Sequence, residues 1–140
     1  MEGIRNLSLL LLLTILSACS SKSSSDELAK ELQTVKSWTA TAHLVGDTWM
    51  RGDIPTPYAK QTLSKTRKEL QNELNNLSEN APAQNRTTLV VQLQHLQETV
   101  EQMSKAVEEK DARAMQRQIQ QLSAQEQSIS NLAKTAGVQL

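Results

Sequence analysis

From about residue 26 to the end of the chain, aliphatic side chains recur at alternating steps of three and four. That spacing draws one stripe along an α-helix, whereas a strand needs an alternation of two. The first run is Leu28, Leu32, Val35, Thr39, Ala42, Gly46 and Trp49, with Trp38 and Val45 flanking it. The second is Ala59, Leu63, Thr66, Leu70, Leu74 and Leu77, and the third Leu89, Leu93, Leu96, Val100, Met103 and Val107. With no Phe, one Tyr and two Trp in 140 residues, aliphatic groups must build almost the whole core. Strand formers are scarce beside Leu, Ala, Gln, Glu and Lys.

Breaks in the pattern divide it. Arg51-Gly52-Asp53-Ile54-Pro55-Thr56-Pro57 ends the first helix, because Gly caps a helix and Pro cannot continue one. Ser78-Glu79-Asn80-Ala81-Pro82 ends the second, which is predicted from about Pro57 to Glu79. After Val107 the phase jumps: the apolar residues resume at Ala112, Met115, Ile119, Leu122, Ile129, Ala133 and Ala136. A tight turn at Lys110-Asp111, with Asp111 as N-cap, accounts for the jump. One long helix with a stutter, giving three helices in all, is the alternative. Gly137 caps the last helix. The expected fold is all-α: an antiparallel up-down four-helix bundle over residues 26–140. In it the Arg51–Pro57 loop and the Asp111 turn share one end, and the Asn80–Pro82 turn and the C-terminus share the other. Glu126 falls on the apolar stripe, where a carboxylate is costly unless paired. That spot is expected to be wet, open or a contact with a partner.

The start of the chain reads differently. Arg5 precedes the apolar run Leu7-Ser8-Leu9-Leu10-Leu11-Leu12-Leu13-Thr14-Ile15-Leu16, and Ser17-Ala18 follow. A cation, a short apolar stretch and small residues make a secretory signal, and the stretch is short of the ~20 residues that span a bilayer. Leu16-Ser17-Ala18-Cys19 resembles the lipobox of bacterial lipoproteins. The resemblance implies a signal peptide over 1–18, cleavage between Ala18 and Cys19, and lipid on the Cys19 sulfur. Two or three acyl chains anchor stably where one binds marginally. Lipidation also uses the chain's single cysteine. Ser20, rather than Asp, follows the cysteine. By the same resemblance, this implies the outer membrane, facing the periplasm, in a cell with two membranes. Residues 19–25 then form the lipidated cysteine and a Ser-rich tether, which is expected to be a flexible linker of at most about 20 Å.

Composition ranks the functions. Formal charge is zero and stays so without residues 1–18, because Glu2 and Arg5 cancel. No basic surplus points to nucleic acid. His43, His95, Met50, Met103 and Met115 are the possible haem or metal ligands. They form no His-x-x-x-His or Glu-x-x-His spacing, so no metal or cofactor is expected. No phosphate loop or nucleophile elbow is present, and no catalytic residues are assigned. Trp49, Arg51 and Tyr58 lie in the segment richest in aromatic, proline and charged residues. They are the candidates for a partner-binding tip, since Trp, Tyr and Arg dominate interface hot spots. The same segment also reads as a packed loop that closes the bundle end. The expected function is a non-enzymatic, membrane-anchored envelope lipoprotein serving a protein partner in a membrane-associated complex. The alternatives are a small-ligand binder for lipid, pigment or haem, with space beside Ala42 and Gly46, and a self-associating structural lipoprotein.

Overall fold

The computed structural model describes the backbone of residues 18–140 and side chains from Ser24 onward. It contains four helices: α1 (Ala18–Met50), α2 (Thr56–Asn80), α3 (Ala83–Glu109) and α4 (Ala112–Thr135). Each packs on its neighbours in sequence, and α1 closes the ring against α4. α1 and α3 meet only narrowly across the centre, and α2 and α4 stand at opposite corners. This is the antiparallel four-helix bundle. The alternative with one long C-terminal helix is excluded by the break at Lys110-Asp111. The signal peptide, apart from Ala18, lies outside the described residues.

The core follows the spacing closely. Leu28, Leu32, Val35, Thr39 and Ala42 of α1 are buried, as are all six predicted positions of α2 and all six of α3. Trp49 is only half-buried, while the flanking Val45 is buried. Gly46 is buried because side chains from two other helices close over it: an added Cβ would lie 2.9 Å from both Met103 Cε and Ile119 Cδ1. The space expected beside Gly46 is therefore filled by those two side chains.

Three helix ends share one device. After α1, Gly52 takes φ +76°, its N–H donates to Trp49 O, and the Asp53 N–H donates to Thr48 O. After α3, Lys110 takes φ +53° with the equivalent bonds from Lys110 N–H to Val107 O and from Asp111 N–H to Ala106 O. After α4, Gly137 takes φ +74° with Val138 N–H donating to Ala133 O. This paired closure satisfies the last carbonyls of each helix. Asp111 then opens α4 as predicted, its Oδ1 accepting from the Ala114 N–H at 2.9 Å. α2 ends differently: Ala81 is extended, Pro82 follows, and the Arg86 guanidinium donates twice to Ala81 O, at 2.7 and 3.0 Å.

Two expectations need correction. α1 begins at Ala18, not Asp26, so the predicted linker forms the first turns of a 33-residue helix. Serine is a mediocre helix former, but extending a helix that is already nucleated costs little per residue. Helix propagation outward from the packed turns at Leu28 and Leu32 accounts for it. The second concerns only the stripe: the spot at Glu126 is open, as expected, but Glu126 does not itself enter the core. The polar side chain that enters the core of α4 is its neighbour Gln125, 9% exposed. Glu126 is half-buried and lines a cleft of about 220 Å³ between α1 and α4, together with Val35, Thr39, Ser123, Ile129 and Leu140. The neutral amide is the cheaper of the two to desolvate.

Candidate functional site

Trp49, Arg51 and Tyr58 all lie at the loop end of the bundle, but they do different things. Trp49 packs half-buried against the core, and its indole N–H donates to Thr56 Oγ1 at 3.2 Å, tying the end of α1 to the start of α2. Ile54 packs beside the core from within the loop. Arg51 projects into solvent, where its Nε meets Asp53 Oδ2 at 2.8 Å. Tyr58, in the first turn of α2, is 54% exposed. The structure therefore separates a closing residue, Trp49, from two solvent-facing ones, Arg51 and Tyr58. The expectation that Tyr58 helps to close the bundle end is not met: its ring faces outward because Ala59, not Tyr58, occupies the core position of that turn.

The histidines also separate. His95 is exposed, and its backbone carbonyl accepts from Thr99 Oγ1 at 3.0 Å. His43 bridges two helices: Nδ1 lies 3.1 Å from Asp47 Oδ2, and Nε2 lies 3.3 Å from Ser123 Oγ of α4. A serine, a histidine and an aspartate in that order resemble an activated nucleophile. Here, however, Ser123 Oγ also donates to Ile119 O at 3.1 Å. Both segments are helix interiors whose N–H groups are engaged along the helix, so no donor pair is aimed where an oxyanion would form. The group works as a link between α1 and α4. Sequence reasoning missed it, because 80 residues separate its members. Among the described residues, no three His, Cys, Asp or Glu side chains converge as metal ligands.

The α1–α2 seam holds a second group that spacing did not reveal. Glu73 of α2 lies on the side of α2 toward Glu31 of α1, and its Oε2 is buried without a hydrogen-bond donor among the described residues. Burial, a hydrogen bond to Glu31 and the negative charges of Glu31 and Glu69 push the Glu73 carboxyl from 4.5 up to about 8. Asn76 Nδ2 approaches Glu31 Oε2 at 3.5 Å. Further along the seam, Lys65 Nζ sits 5.7 Å from the centroid of the half-buried Trp38 ring. A solvated contact of that kind contributes about 0.5–1 kcal/mol. Between α2 and α3 runs an open polar groove, bridged by Gln97 Nε2 donating to Gln71 Oε1 at 3.0 Å and by Arg67 to Glu101 at 3.5 Å.

Cys19 falls in the first turn of α1, and its side chain lies outside the described ones. No helix among the described residues is long and apolar enough to cross a membrane. Comparison with known proteins finds no match: no family model, no curated protein and no solved structure is similar to the chain.

Proposed function

We propose that this chain is a bacterial lipoprotein, cut before Cys19, lipidated on its sulfur, and acting without catalysis as an interaction module of a membrane-associated complex. The observation that carries the reading is the succession of Arg5, the leucine-rich run and Leu16-Ser17-Ala18-Cys19. A single thiol placed after two small residues at the end of a signal is what lipidation requires. Ser20 favours the outer membrane, facing the periplasm, in a cell with two membranes. The bundle supports a binding role over a chemical one, because its interior is packed with aliphatic side chains. The protein partner is expected at the loop end, on Arg51 and Tyr58.

Mass spectrometry of the mature N-terminus tests the anchor. Acylated Cys19 as the first residue is expected, with Cys19→Ser leaving an uncut chain. An unmodified Cys19, or a native chain that retains Met1, overturns the reading. Crosslinking from position 58 tests the tip. Arg51→Ala and Tyr58→Ala should weaken partner recovery by roughly tenfold, the effect of removing about 1.4 kcal/mol of binding. Trp49→Ala is a poor test, because it also removes the bond to Thr56 and core packing.

A further inference from the structure

The cleft of about 220 Å³ between α1 and α4 has walls of three kinds. Toward the loop end lie Thr39, Ser123 and Glu126. Both hydroxyls direct their protons to their own helices: Thr39 Oγ1 donates to Val35 O at 2.8 Å, and Ser123 Oγ to Ile119 O at 3.1 Å. What they retain for the cleft is acceptor capacity. The Glu126 carboxylate adds two acceptor oxygens, and among the described residues no hydrogen bond or ion pair engages it. Toward the other end, Lys36 stands on the α1 wall, also without an ion pair. Ser123 meets His43 across the seam, so counting along the antiparallel helices sets Lys36 level with Ser130. That is four residues, or about 6 Å along the axis, from Glu126. Val35, Ile129 and Leu140 supply apolar surface beside these groups.

We propose that this cleft binds a zwitterionic α-amino acid with an apolar side chain. An ammonium group has three donors and no acceptor, which matches a carboxylate flanked by two hydroxyl oxygens. The ligand's carboxylate lies one helical turn away on Lys36, and its side chain rests on Val35, Ile129 and Leu140. Each charge of the ligand then meets an opposite charge of the protein, and such hydrogen bonds are the stronger kind. Glu126 is half-buried beside apolar groups, so a bound ammonium also supplies the partner that the chain itself does not. Size narrows the class. The cleft has room for about seven waters at ~30 Å³ each, and drug-sized ligands take about 300–1,000 Å³. An amino acid fits that space, and haem or a pigment does not. The site is separate from the Arg51–Tyr58 end and does not depend on the chain being lipidated.

Titration of the isotope-labelled full chain in detergent with L-leucine, followed by amide and methyl NMR shifts, tests the site. Saturable shifts centred on the Val35, Ile129 and Leu140 methyls are expected, with a Kd of about 1 mM or tighter. Leucinamide lacks the carboxylate and N-acetyl-leucine lacks the ammonium. Each should bind roughly tenfold more weakly, the loss of one charged hydrogen-bonded contact. Glu126→Gln should weaken leucine by a similar factor. Lys36→Gln should weaken leucine but leave leucinamide unchanged, a split that a merely loosened seam would not produce. The analogue series uses the native chain and so reads out independently of how either variant folds. Absence of saturable shifts with L-leucine, L-valine and L-methionine overturns the proposal. So does N-acetyl-leucine binding as tightly as leucine.

Discussion

Two threonines of the core show how one hydroxyl can help and another harm. Thr39 and Thr66 are both buried, at 1% and 0% exposure. Thr39 Oγ1 donates to Val35 O at 2.8 Å, whereas Thr66 Oγ1 has no partner among the described residues. An unsatisfied buried hydroxyl costs about 1–3 kcal/mol, and a satisfied one contributes about 1 kcal/mol. Thr66→Val should therefore stabilise the bundle by about 1 kcal/mol, and Thr39→Val should leave it unchanged or weaken it by about as much. Denaturant unfolding of the two variants checks the contrast, and equal shifts would refute the assignment. The same accounting gives the sign of the Glu73 effect. Its carboxyl binds a proton more tightly folded than unfolded, so stability falls as pH climbs from 4.5 toward about 8. At this scale the sequence was partly legible. Spacing placed Thr39 and Thr66 inside, but whether a hydroxyl finds a carbonyl depends on a rotamer. The Glu31–Glu73 and His43–Ser123 contacts depend on the register of two helices, which no single run records.

At the level of the helices, the turn between α3 and α4 is the least relaxed joint. Lys110 holds a left-handed backbone, φ +53°, where the equivalent closures after α1 and α4 use Gly52 and Gly137. A residue with a Cβ loses roughly 1 kcal/mol or more there. Lys110→Gly should accordingly raise stability by about 1 kcal/mol, less a few tenths for the entropy that Gly adds to the unfolded chain. Asp111→Ala, which removes the cap on Ala114, should lower it by about 1 kcal/mol. Equal and small effects from both would mean that the joint is not held in this form. The turn itself was legible from the phase jump after Val107, although no Gly or Pro marks it. Two particulars were not. Glu126 and Gln125 lie on opposite flanks of the α4 stripe, so the pattern alone did not decide which points inward. The start of α1 was hidden because the serines read as a linker and the helical pattern starts only at Asp26. In the structure, helix growth from Leu28 overrides those local preferences.

For the whole molecule, the continuity of α1 changes what an anchor at Cys19 would do. A flexible tether would let the bundle lie in any orientation on a membrane. A helix running unbroken from Ala18 into the core instead aligns the bundle axis with the attachment point. The two ends are separated by the length of α2, which has 25 residues, or about 37 Å at 1.5 Å per residue. The Asn80 end lies beside the start of the packed part of α1, and the Asp53 loop lies at the other end. This yields a prediction that joins the lipoprotein reading to the fold. The lipidated protein is reconstituted in vesicles that carry an energy acceptor in the headgroup layer. A donor dye at position 80 should then transfer efficiently, and a dye at position 53 should transfer several-fold less. Replacing Ser23 and Ser25 by Gly weakens the helix there by about 0.5 kcal/mol per site, the gap between Ser and Gly in helix propensity. It should bring the two efficiencies together as the bundle tumbles on its tether. If both dyes transfer equally before that change, the first turns of α1 do not act as a rigid mount. The Arg51–Tyr58 end would then have no fixed presentation away from the membrane. A difference that the glycines abolish would tie the presentation of that end to the helix that begins at Ala18.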